Sequence, residues 1–458
     1  MGREGLTIQT DLRLAIIGAG PAGLTIAWYL SRLGFASVEL YDAADQIGGQ
    51  SITLHPGDVP VELGTCYLAD GYVIEREIAD AAGTPAKRLP PATFIDCKGR
   101  AYKPEMPSML SMLKYVFHWF GWYLTGQLWK PTNSQYTLTF YDWLKKKGLS
   151  DLATSSVFAD ACTAQLYGPL DKVTAQNGLS WVRPTLLITG RFEHTAQIPA
   201  GFQVMWQRLL TKLDYPAHLN CPVSEVRPGE VGSGVDLVLA NGEVRRYDHA
   251  FIACPLDEQS DDSHTPLRHP LSEMLRNDFP PYDATETYSA VWQAADWPLA
   301  VRSRAYLPAC TKGDPGRLLT IRQSGKVGDE WVGQLCSYAS DDAVPKDYDA
   351  ALRHNRELVI EDMQTIVGLK DVQIIDDRLW RYGVRFSADQ LDQGLPAALA
   401  ARQGEGNVWY AGGAFGHWDV DMIANFDQCL VWRFAKQAGL SLFARLHLIR
   451  LRDIFKDL

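Results

Sequence analysis

Three glycines and one acid carry the first recognisable chemistry in this chain: Gly18, Gly20 and Gly23, with Asp42 downstream. Gly18 lets the chain turn sharply off an apolar strand, Leu14-Ala-Ile-Ile, and Gly20 lets backbone approach a pyrophosphate. Gly23 lets the following helix, which opens at Pro21-Ala22, pack close to the sheet. Phosphates are favoured at that helix N-terminus, where unpaired N–H groups and the dipole attract negative charge. A second apolar strand, Val38-Glu-Leu-Tyr41, ends on Asp42, an acceptor for ribose hydroxyls that repels a 2′-phosphate. A glycine-rich turn with no nucleotide is the plain alternative, but it does not require all five features in order. The expected ligand is a dinucleotide.

Further residues point to FAD. Gly48, Gly49 and Gln50 follow the acid closely, where a chain returning across a pyrophosphate and ribityl group needs glycine. Gly64 and Thr65 close a small-residue segment, Val61-Glu-Leu-Gly-Thr65, that can pass beside a ring system. Near the far end, Asn407-Val-Trp-Tyr-Ala-Gly412-Gly413 reads as a short strand closing on a glycine pair. A helix is expected to begin near Asp419, with Val420, Asp421 and Met422 in its first turn, returning its N-terminus to the first glycine motif as the other end of a grip on one long ligand. Asp419 reads as its N-cap. His417 and Trp418 are the candidates for the reactive end of the flavin, and Trp380, Tyr382 and Arg385 for the substrate cavity. For His417 a hydrogen-bonded loop histidine is the alternative, and for Arg385 a structural ion pair.

On these motifs the chain resembles the flavin-dependent amine oxidoreductase superfamily, the fold of monoamine and polyamine oxidases. Within it, Phe415-Gly-His-Trp-Asp-Val-Asp-Met-Ile is more similar to the branch of polyenoic fatty acid isomerase and related biosynthetic flavoproteins. The resemblance implies FAD, an α/β Rossmann-like domain, and a mixed α+β substrate domain interleaved with it, the two-domain architecture of amine oxidases and p-hydroxybenzoate hydroxylase. It places Val223 and Val226 on a strand over the adenine and Tyr247–Pro255 on a strand re-entering the cofactor domain. Two departures weigh against amine oxidation. Gly413 stands where amine oxidases carry an acid, and no lysine occurs over 285–293, where they commonly place one near flavin N5.

The implied boundaries are 11–80, 199–280 and 399–438 for the FAD domain, and 81–198 with 281–398 for the substrate domain. Thr84-Pro-Ala-Lys-Arg-Leu-Pro-Pro91 marks the first crossing, Asn241-Gly242 a hairpin turn, and Asp257–His264 a solvated loop. At 458 residues, 46% of them hydrophobic, the chain is long enough for two domains with sizeable cores. A net charge of −10 argues against nucleic acid as partner. Eight cysteines without a Cys-x-x-Cys pair indicate neither a zinc site nor a disulfide framework, so no metal is expected and the cytoplasm is the expected location. A monomer or homodimer is expected.

The run Ser108–Leu124, rich in Met and aromatics, is expected to be a buried helix of the second domain; a lid for a lipophilic substrate, touching membrane, is the alternative. Residues 439–458 are expected to form a docked amphipathic helix, though their arginines also suit a membrane surface. Three functions stay open. The first is an oxidoreductase taking a hydride from a C–N or C–C bond of a small lipophilic metabolite. The second is a double-bond isomerase, and the third a non-catalytic FAD-stabilised binding protein.

Overall fold

A computed structural model describes residues 11–69, 71–104, 106–125, 134–155, 163, 166–184, 195–229, 233–256, 267–279, 282–299, 304–311, 313–340, 348–415 and 420–446. The predicted loop 257–264, and His417, Trp418 and Asp419, lie outside the described residues.

The first strand, β1 (Leu14–Ile17), is buried along its whole length, as a central strand covered on both faces must be. It sits in the middle of a five-stranded parallel sheet whose order is Ala217–His218, β2 (Val38–Tyr41), β1, His249–Ile252 and Val408–Tyr410. Helix α1 (Pro21–Arg32) buries Ala22 to Leu30 on one face, beside α2 (Val73–Ala82) and the late helix Val420–Gln437. The other face is covered by a three-stranded antiparallel sheet, Val223–Pro228, Val235–Leu239 and Val244–Tyr247, whose second turn is Asn241-Gly242.

A second sheet of seven strands has the order Gln373–Arg385, Asp283–Ala294, Glu330–Tyr338, Leu318–Val327, Arg304–Tyr306, Thr93–Ile95 and Ala101–Tyr102. Strand alternation gives it two unlike faces. Tyr288, Ala290, Trp292, Ile321 and Leu335 form an apolar face packed under Val359 and Met363 of the helical stretch 348–367. The opposite face is polar and turns toward the short strand pair Thr53–Leu54 and Val61–Glu62, where Val291 and Val332 meet Ile52, Val61 and Leu63.

The helix α3 (Met109–Thr125) corrects an expectation. It is not buried all round. Tyr115, Trp119 and Trp122 clamp one face to the helix Ala175–Trp181 and the residue after it: Tyr115 Oη donates to Val182 O at 2.7 Å, Trp119 Nε1 to Leu179 O and Trp122 Nε1 to Gln176 Oε1, both at 2.9 Å. The other face carries Met109, Leu110, Leu113, Phe117 and Leu124 into solvent, with Phe117 75% and Leu113 59% exposed. A helix apolar on both faces has no periodicity to say which side is outside. Among the described residues no helix is long and apolar enough to cross a membrane. Of the expected C-terminal helix, only the short turn Leu442–Arg445 lies among the described residues.

Candidate dinucleotide and substrate site

The glycine loop is built by close contact. A Cβ on Gly23 would lie 1.9 Å from the Gly18 carbonyl oxygen, so the turn and helix meet only because that position has no side chain. Gly49 comes from the second glycine pair, and a Cβ on it would stand 3.0 Å from Gly20 Cα. The two glycine motifs therefore face each other across a bare backbone cleft at the start of α1. No side chain caps that helix, whose N-cap is Gly20 and whose first residue is Pro21, with Ala22 buried behind it. An uncapped N-terminus lined by glycine is a fitting cradle for a pyrophosphate.

Asp42 already holds this loop together. Its Oδ2 accepts the Ala19 N–H at 2.5 Å and its Oδ1 the Ala44 N–H at 2.8 Å. A carboxylate offers about four acceptor positions, so capacity remains for ribose hydroxyls. Gly48 is tied in through its N–H to Ala19 O at 2.9 Å. Gln50 O accepts the Thr65 N–H at 3.1 Å, and Gly64 packs so tightly beside it that a Cβ would fall 1.7 Å from that same oxygen. Thr65 Oγ1 accepts from Ser51 Oγ at 3.1 Å. Val223 is buried in the same apolar cluster as Tyr41, the last residue of β2.

The far end of the chain arrives at the same loop. Ala411 N–H donates to Ile252 O at 2.8 Å, and Gly412, at φ +96°, passes Ala253 next to the Gly18 turn. Gly413 continues this turn, and Val420 and Met422 are half-buried in the first turn of the closing helix. Asp421 has a structural task. Its carboxylate accepts the N–H groups of Ile74 at 2.9 Å and Glu75 at 3.3 Å, so it caps α2. The Asp421 carboxylate is thus engaged within the protein.

The polar face of the seven-stranded sheet supplies the second half of the site. Trp380 and Tyr382, two residues apart on one strand, project from this face, with Trp380 opposite Thr287 in the register. Both are half-buried, and burial pushes the Tyr382 phenol well up. Trp380 packs with Ile52, Val61 and Leu63, whereas Tyr382 leans on the helical layer that contains Tyr115 and Trp119. Arg385 is buried, with its Nη1 donating to Thr285 Oγ1 at 2.9 Å and Gly383 O at 3.0 Å.

Glu62 joins the two halves. Its Oε2 accepts from Thr53 Oγ1 at 2.7 Å and its Oε1 from the Phe202 N–H at 3.1 Å, at the start of the helix Phe202–Leu213. Burial pushes its carboxyl up to about 7, against the pull of these donors and of Arg322. Beside it, Arg322 donates to Cys66 O at 2.9 Å and also to Gln197 Oε1. Arg304 lies over the Tyr67 ring at 4.2 Å and the Tyr306 ring at 4.9 Å. Burial raises the Cys66 thiol and the Tyr67 phenol, keeping both neutral. These arginines escaped sequence reasoning. The available signal was a charged residue inside the apolar strand Leu318-Leu-Thr-Ile-Arg322.

The described cysteines are free thiols, and no metal-binding cluster occurs among the described residues.

Comparison with known proteins places this geometry. Residues 16–76 match the family model of an NAD(P)-binding Rossmann-like domain. The polyenoic fatty acid isomerase of Ptilota filicina is 24% identical over 276 residues, covering 51% of this chain and 54% of that protein, about half its length. Among solved structures, a CLA-producing fatty acid isomerase from P. acnes aligns with a TM-score of 0.78 at 21% identity, covering 93% of this chain and 100% of the other. Cyclohexylamine oxidase from Brevibacterium oxydans aligns at 0.63 and 16%, covering 94% and 100%. The chain thus carries a dinucleotide-binding Rossmann-like domain within the two-domain fold shared by amine oxidases and a fatty acid isomerase.

Proposed function

We propose that this chain is an FAD-dependent oxidoreductase acting on a C–N or C–C bond of a small lipophilic metabolite. The observation that carries it is the two-ended glycine clasp, in which Gly20 faces Gly49 and the Gly412 turn returns to the same loop from the far end of the chain. Residues that would hold the cofactor are Gly18 to Gly23, Asp42, Gly48 to Gln50, Gly64, Thr65, Val223, Gly412, Gly413 and the backbone of Val420 to Met422. Segments 11–80, 199–280 and 399–438 form the cofactor domain in this reading, and 81–198 with 281–398 the substrate domain.

FAD, when bound, supplies a hydride acceptor that serves either net oxidation or, with return of the hydride to a different carbon, a double-bond shift. The chain's own part is to orient and enclose. Trp380 and Tyr382 give the substrate an apolar wall beside their polar edges. Glu62, with its carboxyl raised to about 7, holds a proton near neutral pH within the enclosed site. His417 and Trp418 complete the reactive end in this proposal.

Isomerisation is the second reading, favoured by the absence of lysine from the strand segment 285–293. Anaerobic incubation of the purified protein with amines and polyenes separates the two. Lasting bleaching of the flavin band near ~450 nm, a property of the cofactor, supports oxidation; product without bleaching or oxygen uptake supports isomerisation. Purified protein that carries no FAD overturns both.

A peripheral membrane contact through α3 belongs to the same proposal. Its exposed apolar face is flanked by Lys114 on the helix itself and by Lys147, both close enough to depress the His118 pKa after burial has done so. In a chain of net charge −10, such a local basic rim suits an anionic lipid surface.

A further inference from the structure

Where α1, α2 and the closing helix Val420–Gln437 pack together, buried oxygens have nothing to bond. The three helices share one apolar cluster, with Ile26 and Leu30 from α1, Ile78 from α2, and Ala424 and Val431 from the closing helix. Into this junction fall Glu75 of α2, 1% exposed, Asp427 of the closing helix, 0%, and Tyr29 of α1, 0%. Among the described residues no hydrogen bond reaches either carboxyl oxygen of Glu75, either of Asp427, or the Tyr29 hydroxyl. At 3.6 residues per turn, Asp421 and Asp427 stand about 120° apart round their helix. Asp421 holds the Ile74 and Glu75 N–H groups of α2, and Asp427 is the acid that acts most strongly on Tyr29 of α1.

The neighbouring charges give these acids no counter-ion contact. Asp421 and Arg76 act on Glu75, and Tyr382 feels it from the substrate wall. Asp427, Asp421, Arg32 and Glu77 act on Tyr29. The sheet beneath the closing helix offers Phe251, Trp409 and His249, the last edge-on to Phe434 and kept neutral by burial. The helix Phe202–Leu213 offers Phe202, Met205 and Trp206, while its Lys212 bonds Ala81 O at 2.6 Å. Arg433 and Lys436 of the closing helix are exposed.

An ionised carboxylate has no compensation in such surroundings, so each acid is seated only with its proton. Burial accordingly raises both well above the usual carboxylate range. Their contribution is therefore whole below the ordinary value of about 4 and drains as pH climbs through the raised values. That titration has a target. α1 begins at Gly20 and the closing helix at Val420, so the junction joins the two helices whose N-termini face the cofactor in the function proposed above.

We propose that Glu75, Asp427 and Tyr29 form a proton-held seat for the closing helix, and that losing the carboxyl protons lifts the helix and releases FAD. The inference rests on the FAD reading and goes beyond it. Linkage makes the coupling reciprocal: FAD that needs the helix seated takes up protons as it binds.

FAD affinity of the purified full-length holoprotein, read by flavin fluorescence on dilution at about pH 6 and about pH 9, tests this. The dissociation constant is expected to rise at least about ten-fold at the higher pH, the effect of one group whose proton affinity changes by one pH unit. Asp427→Asn and Glu75→Gln keep the shape and remove the titration, so each is expected to flatten that rise. Hydrogen exchange over 420–437, corrected for the intrinsic rate at each pH, is expected to speed up at pH 9 in the parent and less in the variants. FAD held equally at both pH values, or a rise undiminished in both variants, overturns the proposal. If one variant does not fold, the other and the parent's exchange still decide it. A flavin-loaded protein whose closing helix exchanges alike at both pH values overturns this inference alone. A flavin-free protein whose helix still opens with pH overturns the oxidoreductase reading and supports the seat.

Discussion

Asp421 and Ile74 are joined across 347 residues of chain, the Asp421 carboxylate accepting the Ile74 N–H at 2.9 Å. The second and third residues of α2 are thus capped from the first turn of the closing helix, while Tyr72, the helix's own N-cap residue, offers no side-chain hydrogen bond.

Removing that cap should destabilise the fold without touching the glycine loop. Asp421→Ala is expected to cost about 1–2 kcal/mol, and Asp421→Asn to keep most of the cap. Thermal melting monitored by circular dichroism checks this; an Ala variant melting with the parent would remove the capping role.

Gly20 separates ligand binding from folding. Its backbone is ordinary, at φ −80°, and a Cβ there meets nothing nearer than Gly49 Cα at 3.6 Å. Gly20→Ala should therefore fold, and Gly20→Val should also fold while losing bound FAD. Absorbance of the purified variants tests the pair. A yellow, fully loaded Gly20→Val protein would sink the cofactor reading.

Asp427 should set a pH slope. It is fully buried on the closing helix, neither carboxyl oxygen has a partner, and burial raises it well above the usual range, with Tyr29 close by. A raised acid contributes full stability below its unfolded value of about 3.9 and loses that contribution as pH climbs through the folded value. Asp427→Asn is thus expected to melt higher than the parent at pH 8 and close to it at pH 4. Glu62 follows the same sign, its contribution draining between about 4.5 and about 7. A parent and Asn variant with parallel melting curves at every pH would contradict the assignment.

The α3 face should act on lipid alone. Phe117→Glu and Leu113→Glu change exposed residues, so the melting temperature is expected to move little. Co-sedimentation with vesicles containing phosphatidylserine is expected to fall about ten-fold or more in the double variant, since each large apolar side chain is worth roughly 1.5–3 kcal/mol of burial. Binding that survives both charges, or a parent that never sediments, rules out this contact.

What the sequence disclosed depended on how local the physics was. Gly18, Gly20 and Gly23 were legible because each answers to a backbone constraint within one turn, and Gly48 and Gly49 because they lie a few residues past Asp42. The face of α3 was not legible, since Met109, Leu113 and Phe117 are as apolar as Tyr115, Trp119 and Trp122; only the helix Ala175–Trp181 decides which set is covered. The polar residues of the seven-stranded sheet were out of reach for a different reason. Arg304, Arg322 and Gln334 become neighbours only through strand register, which a pattern of apolar residues does not specify to the residue. Asp421 was legible as a first-turn residue of the closing helix, but that its carboxylate caps α2 was not, because the two elements lie far apart in the chain.

The parallel sheet also has a consequence for how the chain is made. Its central strand is the first synthesised, and its flanking strand Val408–Tyr410 is the last. The helix Val420–Gln437, which covers α1, follows later still. A ribosome therefore releases the glycine loop hundreds of residues before the surface that shields it, and Leu24, Ile26 and Leu30 wait on the nascent chain for Leu430 and Phe434. Closing so distant a contact is slow and leaves apolar surface open to misassociation. Expression of this protein is thus expected to depend on chaperones during synthesis, and its refolding yield to fall with chain concentration.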